Sequence, residues 1–434
     1  MNKRVRAVCL SLAVLFIGMY LCNSQVNQID KMESNDQKIH IFSSNLRQAP
    51  LHTMALGPGL INLSPADQFS TYQWGLKNDG ELRLVEMVSK FKAVDDLYSG
   101  PSSFGGGHTQ QPGPNDYESK VTKAVPGIDI NIQPAWELYD KQSEKRSVIV
   151  AIIDTGIDIN HRELKHAIWT NPGEIDGDGI DDDENGYIDD IHGWNFYSGN
   201  NQVFTGEEDS HGTHAAGTVS AARGNYGIAG ITDNHYVKIM PIKALGGSEG
   251  IGSPSKVIEA IRYAEANGAS ICNLSMGTTA YSKELADTIH NSNMLFVVSC
   301  GNGGVSGLGY DTDEHPVYPA SLPYDNVISV ANLLFDGTLS EDSNYGAKSV
   351  DLAAPGTYIL STIPDNSYGF MSGTSMAAPM VTGVAAMLYS YRKDLSLLEV
   401  KSILISSSKK TDALAGKTVS GGLLDAYGAL TWGQ

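Results

Sequence analysis

Apolar residues in this chain fall into short unbroken runs, separated by segments with helical spacing. Residues 148–153, 237–242, 270–274, 295–299, 327–331 and 350–353 form such runs, rich in Val, Ile and Leu. Runs of this kind are expected of strands covered on both faces. Between them, residues 255–267, 283–291 and 376–391 carry the periodicity of helices. Strands alternating with helices imply crossover connections, and hence an α/β fold with a mostly parallel central sheet and helices on both faces. No internal repeat is present.

Three of these segments end in chemistry. The run ending at Ile153 is followed by Asp154-Thr155-Gly156. In open α/β sheets, sites gather beyond the carboxyl ends of strands, so Asp154 stands where a reacting group belongs. Asp209-Ser210-His211-Gly212-Thr213-His214 places a histidine just ahead of a small-residue helix, and a neutral imidazole takes up a proton near neutral pH. We expect His211 to be the base and His214, one turn on, to be structural. Gly373-Thr374-Ser375-Met376-Ala377-Ala378-Pro379 places a serine at a helix start, where unpaired N–H groups and the positive dipole end favour developing negative charge. Taken singly, the serine reads equally as a helix cap and the aspartate as a turn residue.

The three strings together resemble the signatures of the subtilisin-like serine proteases, in the family's order Asp, His, Ser. The similarity runs from Gln73-Trp74-Gly75-Leu76 to about Asp425, and 350–356 (Val-Asp-Leu-Ala-Ala-Pro-Gly) resembles the family's strand before the nucleophile segment. The resemblance implies a three-layer α/β sandwich. It implies a triad in which His211 deprotonates Ser375 and Asp154 holds the imidazole. It also implies an oxyanion donor at Asn302, in Ser299-Cys300-Gly301-Asn302-Gly303, beside the backbone N–H of Ser375.

Two further stretches, 250–252 and 274–277, resemble the family's pair of edge segments, between which a peptide docks as an added strand. Gly250 and Gly252 would allow close approach. Ser275, Met276, Gly277, Gly301 and Val317 are expected to line substrate subsites. Valine at 317 implies a shallow first pocket, while Asp311, Asp313 and Glu314 nearby imply attraction of a basic side chain. The residues leave both readings open.

Composition narrows the partners. Lys plus Arg number 30 against 49 Asp plus Glu, a formal net charge of −19. That balance argues against nucleic acid, whose phosphates are held by Lys and Arg. Part of the acidity is concentrated in one loop, 176–190. Asp181, Asp183 and Asn185 match the opening of an EF-hand loop and Asp189 its ninth position, but the twelfth is His192. The loop is therefore no standard EF-hand. Crowded carboxylates repel without a cation, so we expect structural Ca2+ at these four residues, against a solvated acidic turn as the alternative.

The N-terminus, Met1-Asn2-Lys3-Arg4-Val5-Arg6 and then an apolar run to Leu21, reads as a signal peptide over residues 1–24. An uncleaved membrane anchor is the alternative. Residues 25–70 read as a propeptide and 71–434 as the peptidase domain, interrupted by an insertion at about 81–126. Within the insertion, Leu84, Val88, Phe91, Val94 and Tyr98 have helical spacing, and 99–119 is a Gly/Pro/Ser-rich loop. Cys9 and Cys22 leave with the signal, and Cys272 and Cys300 are expected as buried thiols. The expected protein is a secreted monomeric endopeptidase acting on proteins or peptides, with no stable membrane association once the signal is removed. It would serve processing or general proteolysis. An inactive binding module of the same fold is the competing class.

Overall fold

A computed structural model describes residues 38–41, 67, 69–80, 124–225, 227–303 and 307–433. The signal peptide, most of the propeptide and the helix and loop expected at 81–119 lie outside the described residues. In chain order the strands are β1 (Ile39–Ile41), β2 (Val148–Asp154), β3 (Trp194–Asn195), β4 (Val237–Lys243), β5 (Ile251–Gly252), β6 (Ile271–Leu274), β7 (Met276–Gly277), β8 (Leu295–Ser299), β9 (Val327–Leu333), β10 (Leu352–Pro355), β11 (Ile359–Ile363), β12 (Ser367–Met371), β13 (Lys409–Lys410) and β14 (Gly422–Leu423). The α-helices are α1 (Ile132–Lys141), α2 (Ser210–Ser220), α3 (Pro254–Ala266), α4 (Lys283–Asn291), α5 (Thr374–Tyr391), α6 (Leu397–Ser407) and α7 (Ala426–Thr431).

Nine strands form the central sheet in the order β13-β14-β10-β9-β8-β6-β2-β4-β3, parallel except at the β13–β14 edge. The alternating sides of a strand explain its two cores. On β2, Val148, Val150 and Ile152 pack into one cluster with α2 and α5. Ala151 and Ile153 pack into the other, with α3 and α4. Both faces are thus covered, as the apolar runs require, and the α/β expectation holds. Helix α5 crosses under the middle of the sheet and is buried at all but two of its eighteen positions, Tyr389 and Tyr391. Small residues such as Ala377, Ala378, Gly383, Ala385 and Ala386 permit that depth.

Asp154 ends β2, and the even-numbered register of that strand points it toward the α2 and α5 side. The first turns of α2 and α5 therefore meet the same sheet edge from below. Among the described residues no helix is long and apolar enough to cross a membrane.

Candidate active site

The Asp154–His211 contact is short: Nδ1 of His211 lies 2.7 Å from Oδ1 of Asp154. Both side chains are buried. Two features bring α2 that close to β2. Gly212 allows it, because a Cβ there would sit 2.2 Å from the carbonyl oxygen of Gly156 and 3.1 Å from the Cβ of Asp154. Thr155 then pins the approach, its Oγ1 accepting from the Gly212 N–H at 3.1 Å. The Thr155 N–H donates to Asp154 Oδ1 at 2.7 Å, so one carboxylate oxygen takes two donors. His211 Nε2 and Asp154 Oδ2 are buried and make no hydrogen bond among the described residues. His211 lies inside the first turn of α2 rather than ahead of it. His214 is fully buried, with Nε2 2.8 Å from the Ile359 carbonyl. Desolvation lowers its pKa to about 3, so it stays neutral, as befits a structural residue.

Ser375 stands at the second position of α5, after the N-cap Gly373. Its Oγ donates to the Ser275 carbonyl at 2.9 Å. A reciprocal bond runs from Ser275 Oγ to the Ser375 carbonyl, also at 2.9 Å. Pro379 explains why that carbonyl accepts from outside the helix: proline has no N–H, so the bond α5 would make to Ser375 four residues earlier is missing. Behind it runs a chain of side chains. Asn273 Nδ2 donates to Ser275 Oγ at 2.9 Å, and Thr382 Oγ1 donates to Asn273 Oδ1 at 2.8 Å. Ser375 is thus tied to the ends of β6 and β7. The motif string contained Pro379, but its part in this bond depends on Ser275, a hundred residues away in the chain.

Asn302 follows β8. Its Oδ1 accepts from both the N–H and Oγ1 of Thr374, each at 3.0 Å, which fixes the side chain beside the residue preceding Ser375. Gly301 takes φ +98°, a conformation that favours glycine, and its N–H donates to Thr374 Oγ1 at 3.2 Å. Thr374 was not singled out from sequence, and its position inside the nucleophile string was the only cue.

The two edge segments are β5 and β7, and β1 lies between them. Ile39–Ile41 pairs antiparallel with both: His40 stands opposite Ile251 and Gly277, Ile39 opposite Gly252, and Ile41 opposite Met276. Ile39 is fully buried there. The glycines divide their work. A Cβ at Gly250 would lie 2.8 Å from Ile41 Cδ1, so Gly250 makes room for the inserted strand. At Gly252 it would meet the Ala244 carbonyl at 2.5 Å, so that glycine serves packing within the domain. An open groove of about 910 Å³ continues past Lys38 along β5. Val317 is buried beside Tyr318, whose backbone pairs with Thr278 just after β7.

Residues 145–429 match the family described as the subtilase family. The chain belongs to the subtilase family. It is 35% identical over 315 residues to the major intracellular serine protease of Bacillus subtilis, spanning 71% of this chain and 89% of that one. It is 34% identical to subtilisin-like protease 1 of Plasmodium falciparum over 68% of this chain, which is 45% of that longer protein. Among solved structures it resembles a cold-adapted subtilisin-like serine proteinase, with TM-score 0.51 and 26% identity over 65% of this chain and 89% of the other. A protease from Pseudoalteromonas arctica gives TM-score 0.53 at 26% identity, over 70% of this chain and 93% of the other. This subtilase is a serine-type endopeptidase, and its substrates are proteins or peptides.

The acidic loop gathers differently from the EF-hand reading. Glu174, Asp183 and Asp190 bring carboxylate oxygens within 4.8 Å of one another. Of the four residues expected as ligands, Asp183 alone belongs to this group. The Asp181 carboxylate accepts from the N–H groups of Asn185 and Gly186, at 3.0 and 2.8 Å, and that of Asp189 from Gly177 at 3.0 Å. Asn185 donates through Nδ2 to Asp183 and Asp190, each at 3.1 Å, so it bridges two members of the cluster. The EF-hand template counts along the chain and missed Glu174 before the loop and Asp190 beside Asp189. Asp190 is fully buried, with Asn171, Asn185 and Tyr263 as its neutral partners.

Cys272 and Cys300 are buried and free, as expected. Burial raises both thiols, that of Cys300 to about 12, so neither is a ready nucleophile.

Proposed function

We propose that this subtilase cleaves peptide bonds through an Asp154–His211–Ser375 triad with an acyl-enzyme intermediate. The observation carrying the reading is the buried 2.7 Å Nδ1–Oδ1 contact, which leaves Nε2 as the imidazole's proton acceptor. Ser375 Oγ would turn from the Ser275 carbonyl to Nε2 as substrate arrives and attack the scissile carbonyl. Asp154 would stabilise the imidazolium. His211 would then protonate the leaving amine, and water would resolve the acyl-enzyme. With Oδ1 held by Thr374, the Nδ2 of Asn302 is the donor end offered to the oxyanion. A fluorophosphonate probe is expected to label the purified protein and to fail on Ser375→Ala. Undiminished labelling of that variant would overturn the assignment, and an unlabelled parent would favour the inactive binding module. Asn302→Ala is expected to lower kcat by about 10²–10³, a magnitude carried over from the corresponding donor of subtilisin itself. Steady-state kinetics with unchanged kcat would remove Asn302 from the mechanism.

The segment around β1 supports reading residues 25–70 as a propeptide that occupies its own protease's cleft. Ile39–Ile41 adds a strand where substrate would add one. Side chains like Ile39 and Ile41 then mark what Met276, Gly277 and Gly250 accept, and Val317 with Gly301 would border the first pocket. Mass spectrometry of the secreted protein beside Ser375→Ala is expected to show the N-terminal region removed only from the active form. Equal masses would count against self-processing. Secretion through the 1–24 signal is part of the same proposal.

The cluster of Glu174, Asp183 and Asp190 fits a hard divalent cation, Ca2+ above all. Three carboxylates converge, one of them buried, and among the described residues no Lys, Arg or His forms an ion pair with any of them. The ion would be structural, joining the loop to α3 through the Asp190–Tyr263 bond. Excess chelator is expected to lower the melting temperature by roughly 5 °C or more, since a site held at a hundredfold its Kd contributes about 2.7 kcal/mol. An unchanged melting curve would leave the loop a solvated acidic turn.

A further inference from the structure

A second buried charge system lies beside the Asp154–His211 pair, and the cleft does not account for it. Lys243 ends β4 directly opposite Asp154 of β2. Register partners in a parallel ladder share a face, so the two side chains project to the same side of the sheet. A fully buried lysine is unusual, and Lys243, unlike the half-buried Lys238 on the same strand, is fully buried. Its ammonium donates to three acceptors: the Thr155 carbonyl, Glu208 Oε1 at 3.0 Å and Asp209 Oδ1. An ammonium has three donors, so the group is satisfied.

Each acceptor sits next to the reacting residues. Thr155 follows Asp154, and Asp209 precedes His211 by two residues. Asp209 is itself fully buried. Its other oxygen accepts from the N–H and Oγ1 of Thr205. Burial raises its carboxyl pKa while Lys243 and Thr205 pull it back. Glu208 is held below the usual carboxylate range, chiefly by its bond to Lys243. The titratable groups around His211 are therefore Asp154 on β2, Lys243 on β4, Glu208 and Asp209 ahead of α2, and His214 on α2 itself.

We propose that Lys243 and Asp209 form a positioning pair for proton transfer at His211. The ammonium clamps the end of β2 to the start of α2, and Asp209 cancels its charge, so that the imidazolium held by Asp154 is not opposed by an unmatched cation. The proposal rests on the triad reading above. The cancellation matters because a unit charge within about 10 Å, at an effective dielectric near 20, shifts a titration by on the order of one pH unit.

The test is the pH profile of kcat/KM on a small peptide substrate, measured on the purified full-length product and its variants. Asp209→Asn leaves the ammonium matched by Glu208 alone, and the loss of one buried negative charge beside His211 disfavours the imidazolium. The acid limb is expected to move to lower pH by on the order of one unit, with a lower plateau. The double variant Lys243→Met/Asp209→Asn removes both charges, and its limb is expected to return to the parental position even though its plateau stays low. A role in packing alone would lower both plateaus and move neither limb. A limb within about 0.3 unit of the parent in folded Asp209→Asn, or one displaced equally in the double variant, overturns the proposal. Should Asp209→Asn not fold, Glu208→Gln removes the half-exposed counter-charge. It is expected to shift the limb the same way by a smaller amount, and no shift there overturns the pair as well. Failure of the triad reading is told apart by the parent itself, which would then not react with fluorophosphonate.

Discussion

Ser375→Ala is expected to lower kcat by on the order of 10⁶ with little change in KM, a magnitude carried over from subtilisin. His211→Ala should cost about as much, and the double variant no more than either single one. The expectation follows from the proposed triad, in which the hydroxyl and the imidazole would act as one unit: without the base the serine is a poor nucleophile, and without the serine the base has nothing to activate. Truncating Ser375 also removes the donor to the Ser275 carbonyl. The reciprocal bond from Ser275 Oγ, made to the main chain of residue 375, is retained, so the start of α5 should keep its place. Titration kinetics on the three variants, with melting curves as the check on folding, would decide the matter. Additive losses, or a single variant keeping more than about a hundredth of parental kcat, would show that the two residues do not work together.

Asp154→Asn is the second large effect, expected at about 10⁴ in kcat. The amide nearly matches the carboxylate in shape, so the packing of β2 against Gly212 should survive. What changes is the charge and the direction of the hydrogen bond. Asp154 Oδ1 now accepts from both His211 Nδ1 and the Thr155 N–H. An asparagine can turn its NH₂ toward the ring, which then accepts at Nδ1 and presents a proton at Nε2, where the serine needs an acceptor. The loss should therefore fall on kcat, while fluorophosphonate labelling slows in parallel. A variant within about tenfold of the parent would mean that the 2.7 Å contact orients nothing in the reaction.

How legible this protein is from sequence varies by element. The central strands could be read because they are covered on both faces and so consist of apolar runs; β8 and α4 match their expected bounds, and β2, β4 and β6 differ by a residue at one end. The hairpin β11–β12 escaped notice for a physical reason. Its inward positions include Ser361 and Thr362, which donate to the carbonyls of His214 and Thr213 at 2.7 Å each. Two buried hydroxyls interrupt the apolar residues Ile359, Leu360 and Ile363, so β11 shows no unbroken apolar run. β1 escaped because three residues become a strand only when β5 and β7 flank them. Lys243 escaped because a lysine after apolar residues reads as a strand leaving the core, whereas here its acceptors wait on two other segments. The acidic loop was recognised as such, but a template counted along the chain could not choose among its carboxylates.

The sequence alone determined the family, the alternation of the central strands with their helices, and the residue types available for the chemistry. These are local properties, carried by side-chain periodicity, backbone preference and short strings of neighbouring residues. Tertiary structure alone decided which of those residues meet. The Asp154–His211 contact spans 57 positions and the Ser275–Ser375 pair 100. Glu174 joins Asp183 and Asp190 across a folded loop. Such meetings depend on how packed layers bring loop ends together, and no window along the chain is wide enough to hold both partners and the scaffold that sets the distance between them.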